Sequence, residues 1–295
     1  MAKPSLSIPD QFKLLQRRGL LDSRNELLRA LMTHGYFRLS GYWRYFQQDP
    51  SGGRNAFLHG TDFANIFAAY QLDAELRNLL LEGLSEVEVA FRAVLVANLC
   101  APGQLGTEYQ QVTTYVDKRD EHGNSLRARL LEDIGGDVAR SKERHVRHHR
   151  KAGVTAVPLW VATEALSFGI LSRMYGLLSD ENTQMKIAKR FGYDSGLFTS
   201  MSTNIRAVAV FRNVCAHHSR IWNRAIDHDK PRLFAGAFNP GQNPRSYAMA
   251  PWGVISTLGH MVKNVRGNDS FMVDVKKVAH SDPAYWAGLV TPNGM

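Results

Sequence analysis

Between residues 62 and 99 apolar side chains return every three or four positions: Phe63, Ile66, Tyr70, Leu76, Leu80, Leu84, Val87, Phe91 and Leu95. That spacing draws one continuous stripe along a helix of about ten turns. So long a stripe has to be covered by other elements over most of its length, and this constrains the fold more than any other feature of the chain. Thr61 is the expected N-cap, and Ala101-Pro102-Gly103 ends the helix.

The remaining segments also read as helices. Short ones are expected at 8–18 and 23–34, the second opened by Asp22 or Ser23. An aromatic turn over 35–46 and a Gly-rich loop lead into the long helix. Beyond it, short helices are expected near 125–134 and 137–149, and Pro158 opens one that runs to 178. Others are expected at 182–190, 196–218, 252–265 and 269–279, with a Pro/Gly/Asn-rich loop over 227–251. There is no internal repeat and no strand alternation. The expected fold is an all-α bundle in one domain over 1–295, with an N-terminal helical extension at 1–60. Its core at 61–224 carries a long basic insertion at 103–157, and loop and helices at 225–295 close the chain. The core should pair 62–99 with 158–178 and 196–218.

A hydrophobic fraction of 44% suits a globular chain of this length, and no window approaches the roughly 18 apolar residues of a membrane span. The two cysteines, Cys100 and Cys215, belong to no CxxC pair, and the N-terminus has no apolar h-region. A cytoplasmic location is expected.

The formal charge is +9. It is concentrated in two places. Residues 140–151, RSKERHVRHHRK, hold six Lys or Arg against one Glu. Residues 206–232 hold Arg206, Arg212, Arg220, Arg224, Lys230 and Arg232 against Asp227 and Asp229. Such a balance favours a polyanion, and Arg144 and Arg147 are candidates to meet one; a solvated face is the plainer reading of the run.

The second cluster contains RNVCAHHSRIWNR, residues 212–224, directly after the apolar IRAVAVF. Histidine exchanges protons near neutral pH and arginine grips phosphate oxygens in pairs, so the combination points to chemistry on a phosphodiester. Arg212 and His217 form Arg-x4-His, with Asn213 between them. The spacing recurs at Arg29/His34, Arg140/His145 and Arg144/His149, so the context of 212–224 carries the reading. On a straight helix, positions 212 and 217 lie about 140° apart, whereas 213 and 217 share a face. Either Arg212 bends round the helix or a second copy completes the site.

RNVCAHHSRIWNR, together with HGYFRLSGYWRYF, FAAYQLDAELRNLLLEGLSEVEVAFRAVL and PLWVATEALSFGILSRMY, resembles the Abi-like (abortive-infection) family of bacterial phage-resistance proteins. That family is placed in the HEPN superfamily of helical ribonucleases and nucleotide-binding proteins. The resemblance runs in order over nearly the whole chain. It implies a HEPN-like bundle and metal-independent RNA cleavage by a homodimer with the motif at the subunit interface. Arg212, Asn213 and His217 occupy the motif positions, with His218 and Arg220 next to them as phosphate contacts. No cofactor or metal is implied. A toxin restrained by an antitoxin protein or RNA fits the same picture, as does a non-catalytic RNA-binding or assembly module. A DNA-binding regulator is disfavoured, because no short-turn helix-turn-helix stands out.

Other residues carry two readings each. Glu88 and Arg92, at i and i+4, make a helix ion pair, or Glu88 reaches and orients the Arg212 cluster; the family's long helix also carries a Glu and an Arg here. Glu164 shares a helical face with Trp160, Phe168 and Leu171, so it is expected to be buried and paired with Arg206 or Arg212, or to tether two helices. The histidines at 145, 148, 149, 217 and 218 lack HExxH or CxxC companions, which disfavours a metal. The aromatics of 36–46 either stack bases or, as the density of rings favours, pack beneath the long helix.

Overall fold

The computed structural model describes residues 4–151, 157–194, 196–233 and 244–292. The chain is mostly helical, as expected, and α4 (Phe63–Leu99) is its axis. Before it come α1 (Ile8–Arg17), α2 (Leu27–His34) and α3 (Tyr36–Trp43). A 3-10 turn at Arg44–Phe46 then leads into a small antiparallel hairpin, β1 (Gln47–Asp49) and β2 (Arg54–Phe57), with Gln47 opposite Phe57. The aromatic segment read as a turn is therefore helix. Gly35 permits this: at φ +78° it ends α2 and starts α3 without a break in the chain. Helix α2 starts later than expected because the Asp22 carboxylate accepts from the N–H groups of Glu26 and Leu27. The cap of α4 is Asp62, whose carboxylate accepts from the Ala64 N–H, while the Thr61 hydroxyl turns back to the Leu58 carbonyl.

The insertion holds α5 (Leu126–Arg140) and α6 (Arg144–Lys151), longer and shorter respectively than the expected pair. Leu130 and Ile134 are buried, and Arg173 pairs with Asp133 at 2.8 Å, so α5 is fastened to the core bundle. The helix expected over 158–178 is two: α7 (Leu159–Ala162) and α8 (Phe168–Leu177). It breaks because Ser167 caps α8 through the Ile170 N–H, and because Arg92 takes up the carbonyls of Thr163 and Leu166.

Then come α9 (Glu181–Lys189), α10 (Phe198–Ala216), α11 (Pro244–Ala248), α12 (Pro251–Arg266), α13 (Ser270–Ala279) and α14 (Pro283–Val290). Residues 234–243 of the expected 227–251 loop lie outside the described residues, as do 152–156 of the insertion, and α11 falls within the stretch expected as loop. Helix α4 packs along α10, α12 and α13, whereas α8 packs chiefly on α10. The C-terminal helices thus complete the core as much as 158–178 does. Gly83 of α4 sits where a Cβ would come within 2.7 Å of Phe271, so α13 approaches the axis at that point. No helix among the described residues is long and apolar enough to cross a membrane.

Candidate active site at the end of α10

Helix α10 closes with a left-handed cap. His217 N–H donates to the Asn213 carbonyl (3.0 Å), His218 N–H to that of Cys215 (2.9 Å) and Ser219 N–H to that of Val214 (2.9 Å). The pattern is the Schellman motif, whose turning position normally holds glycine. Here it is His218, at φ +54°. A side chain in that region is strained, and such strain gathers at functional sites. The cost is offset from outside the helix. Arg38 of α3 donates to the His218 carbonyl at 2.6 Å, placing a cation at the negative end of α10.

The tail after the cap is fixed by a buried acid that the spacing argument did not single out. Asp73 of α4 is fully buried and accepts from the backbone N–H groups of Ile221 (3.1 Å) and Trp222 (2.9 Å). It also accepts from the hydroxyls of Tyr42 (2.6 Å) and Tyr285 (3.1 Å), and it pairs with Arg77. Burial first, and then the Asp73 charge, push both tyrosine hydroxyls up, so they remain protonated donors. Burial pulls the Arg77 guanidinium down, but Asp73, Tyr42 and Tyr285 together outweigh it and hold the group above its usual value. The Trp222 ring is stacked with those of Tyr42 and Tyr285, at 6.2 and 6.4 Å. Arg220 is spent internally: it donates to the Tyr45 hydroxyl (2.8 Å) and the Trp222 carbonyl, and lies over the Tyr45 ring. That arrangement gives it the task of holding the tail.

On this frame Arg212 turns back toward α4. Its Nε lies 3.0 Å from Glu88 Oε2, and one Nη donates to the Asn213 Oδ1 at 3.3 Å. Glu88 is buried, and its other oxygen takes Arg92 at 2.5 Å. One carboxylate therefore clamps two guanidiniums, and Arg92 carries the connection on to the 163–167 turn. Asn213 and His217 are exposed beside Arg212, as is His218. Neither imidazole has a side-chain hydrogen-bond partner among the described residues, so both rings are available to a ligand. Arg212 bends far enough to reach Asn213, one turn before His217. Asn213 uses its side chain on Arg212 and only its carbonyl on His217.

Other expected site residues fall elsewhere. Glu164 is exposed on the turn between α7 and α8, and among the described residues it pairs with neither Arg206 nor Arg212. The reason is the helix break, which rotates 164 away from the face shared by Phe168 and Leu171. Trp160 is 47% exposed for the same reason. Arg206 pairs with Asp229, about 16 Å along the axis from His217. Arg144 and Arg147 are exposed on α6. The base of that insertion still reaches the site: Asp137 accepts from the Ser167 N–H (3.3 Å) and from Arg140 (2.6 Å), next to the turn that receives Arg92. Among the described residues no three His, Cys, Asp or Glu side chains gather as a metal site. Burial pushes the Cys215 thiol up to about 12, leaving it a protonated core side chain.

The clamp predicts an effect on stability. Glu88→Ala leaves two guanidiniums without their shared acceptor, one of them mostly buried, and should lower stability by about 1–3 kcal/mol. In a double-mutant cycle with Arg212→Ala the coupling should be about 1 kcal/mol or less, since Arg212 is partly exposed. Urea unfolding of the four proteins measures both; a zero coupling would mean that Glu88 does not hold Arg212.

The profile of the family described as Abi-like protein matches residues 29–223, which span α2 to the end of the tail. The chain belongs to that family, and the family ties it to abortive-infection defence. No curated protein and no solved structure matches the chain.

Proposed function

We propose that the protein is an RNA endonuclease of HEPN type acting as the toxic effector of abortive infection. The observation that carries this is the end of α10, where Glu88 holds Arg212 beside the exposed Asn213 and His217. The substrate's own 2′-oxygen attacks the adjacent phosphorus, the 5′-oxygen leaves, and a 2′,3′-cyclic phosphate remains. His217 moves the proton between these oxygens, as positioned imidazoles do. Arg212 balances the charge that grows on the phosphoryl oxygens. His218 contacts the phosphate, Asn213 keeps Arg212 aimed, and Glu88 with Arg92 supports both. The reading includes a homodimer that brings two such caps together, in the cytoplasm, with an antitoxin protein or RNA as restraint. Purified protein incubated with total RNA in EDTA, beside a His217→Ala control, tests it by the appearance and chemistry of cut ends.

The exposed arginines of α6 extend the site as a backbone track. Arg144→Ala/Arg147→Ala should weaken RNA binding and reduce the slope of log affinity against log salt by about 1.4, at about 0.7 per single-strand phosphate released. Titrations at several salt concentrations read the slope. An unchanged slope would make α6 a solvated face.

A further inference from the structure

Helix α3 has two working faces. One, through Arg38, Gly41 and Tyr45 just beyond the helix, lies against the α10 cap and its tail: Arg38 reaches the His218 carbonyl, and a Cβ on Gly41 would sit 3.4 Å from Arg220. The other face, with Tyr36, Phe37, Ser40 and Arg44, borders a groove of about 830 Å³ between α1, α3 and the β1–β2 hairpin. That volume falls in the range of small-ligand sites. Phe37 and Gly41, four residues apart on the helix, bring the groove's rim round to the side that faces the cap.

The lining has a definite chemistry. Phe37 stands at the rim 91% exposed, an aromatic ring left entirely to solvent. Arg18 donates to the Tyr36 hydroxyl at 3.0 Å, and Arg44 is exposed at the other side. None of the lining residues is acidic. At the groove's floor Gln47 is 8% exposed. Its Nε2 donates to the Asn55 carbonyl at 2.8 Å, so the amide's donor side is engaged. Its Oε1 has no donor among the described residues. That oxygen is not shut off from solvent, so in the groove it is an acceptor that a ligand N–H can reach.

We propose that this groove is a nucleobase subsite for the RNA strand that passes the α10 cap, an inference that rests on the proposed RNA-cleaving function. Phe37 stacks on an unpaired base at the rim, as exposed aromatic rings do in single-strand binding. Gln47 Oε1 accepts from an exocyclic amino group, and Arg18 and Arg44 meet the flanking phosphates. Adenine, cytosine and guanine carry such an amino group; uracil offers only its ring N3–H, flanked on both sides by carbonyl oxygens that oppose an approaching amide oxygen. The subsite therefore prefers an amino-bearing base over uracil.

The test uses the full chain carrying His217→Ala, which prevents cleavage during the measurement, with short labelled oligoadenylate, oligocytidylate and oligouridylate in anisotropy titrations. The adenine and cytosine strands should bind about fivefold tighter than the uracil strand. Phe37→Ala should weaken binding of the two tighter strands by about tenfold, and Gln47→Met should erase the preference while keeping the side chain's bulk. Phe37 is on the surface, so its variant folds and decides the question if the Gln47 variant does not. Equal affinity for all three strands, or no change on Phe37→Ala, overturns the subsite. A groove that takes a peptide instead would give that same unchanged RNA affinity. In either case the proposed cleavage still stands if total RNA is cut in a His217-dependent manner. Failure to bind or cut any RNA removes both.

Discussion

Replacing His217 by alanine should lower RNA cleavage by a factor on the order of 10²–10⁴, the usual worth of a positioned general acid–base group, while RNA affinity stays within about twofold. The separation of the two effects follows from the geometry. The His217 ring is exposed and makes no side-chain hydrogen bond to a described residue, so its loss disturbs neither the α10 cap nor the Glu88 clamp. The cap is held by backbone N–H groups and by Arg38, which the substitution leaves in place. Arg212→Ala should differ, weakening binding and rate together, because a phosphate-facing cation acts before and during the reaction. The wild-type products should end in 2′,3′-cyclic phosphate, and an RNA with a single 2′-deoxy substitution at the cut should survive. Mixing His217→Ala with Arg212→Ala subunits also tests the homodimer: restored cleavage would place the two side chains of one site on different copies. Cleavage at a 2′-deoxy position, or an absolute requirement for Mg²⁺, would overturn the mechanism.

The long axis was legible because nine apolar residues on one face have only one economical arrangement, and α4 begins within a residue of its expected start. Residues 158–178 read as one helix because the apolar pattern continues through Thr163–Ser167, and what breaks it is a contact from Arg92, 71 and 74 residues away in sequence. Periodicity cannot report a distant side chain that competes for backbone carbonyls. The same break moved Glu164 from the expected interior to solvent. The aromatic 35–46 segment reads as a turn yet is largely helical: of its glycines, Gly35 and Gly41, only Gly35 has the positive φ that turns the chain. At the site, Arg212, Asn213 and His217 were legible as a motif, and the second reading of Glu88 matches the ion pair the structure contains. Arg38 was not legible, since nothing local marks a cation whose partner is a carbonyl 180 residues later. Asp73 did leave a trace. The α4 stripe runs from Tyr70 to Leu76 with its intermediate slot filled by an acid, and an acid in a buried slot demands partners.

Those partners set the second large effect. Asp73→Ala should cost about 3–5 kcal/mol, because Arg77 becomes an uncompensated buried charge. The N–H groups of Ile221 and Trp222 and the hydroxyls of Tyr42 and Tyr285 lose their shared acceptor as well. Asp73→Asn preserves the shape but turns an amide donor toward groups that already donate, so it should recover little of the loss. Urea unfolding midpoints give the numbers, and a cost below about 1 kcal/mol would mean that the pair does not organise this region. A double replacement, Asp73→Leu with Arg77→Met, separates stability from positioning. Filling the space with apolar side chains removes the stranded charge, and such exchanges are often neutral or stabilising. It does not replace the acceptor for Ile221 and Trp222, so the tail beyond the α10 cap loses its register even where the bundle is stable. The double variant should therefore regain the part of the stability that the stranded charge cost, not the part owed to the buried donors, and still cleave poorly. That outcome would assign Asp73 to aiming the cap; cleavage restored along with stability would leave it as a core contact alone.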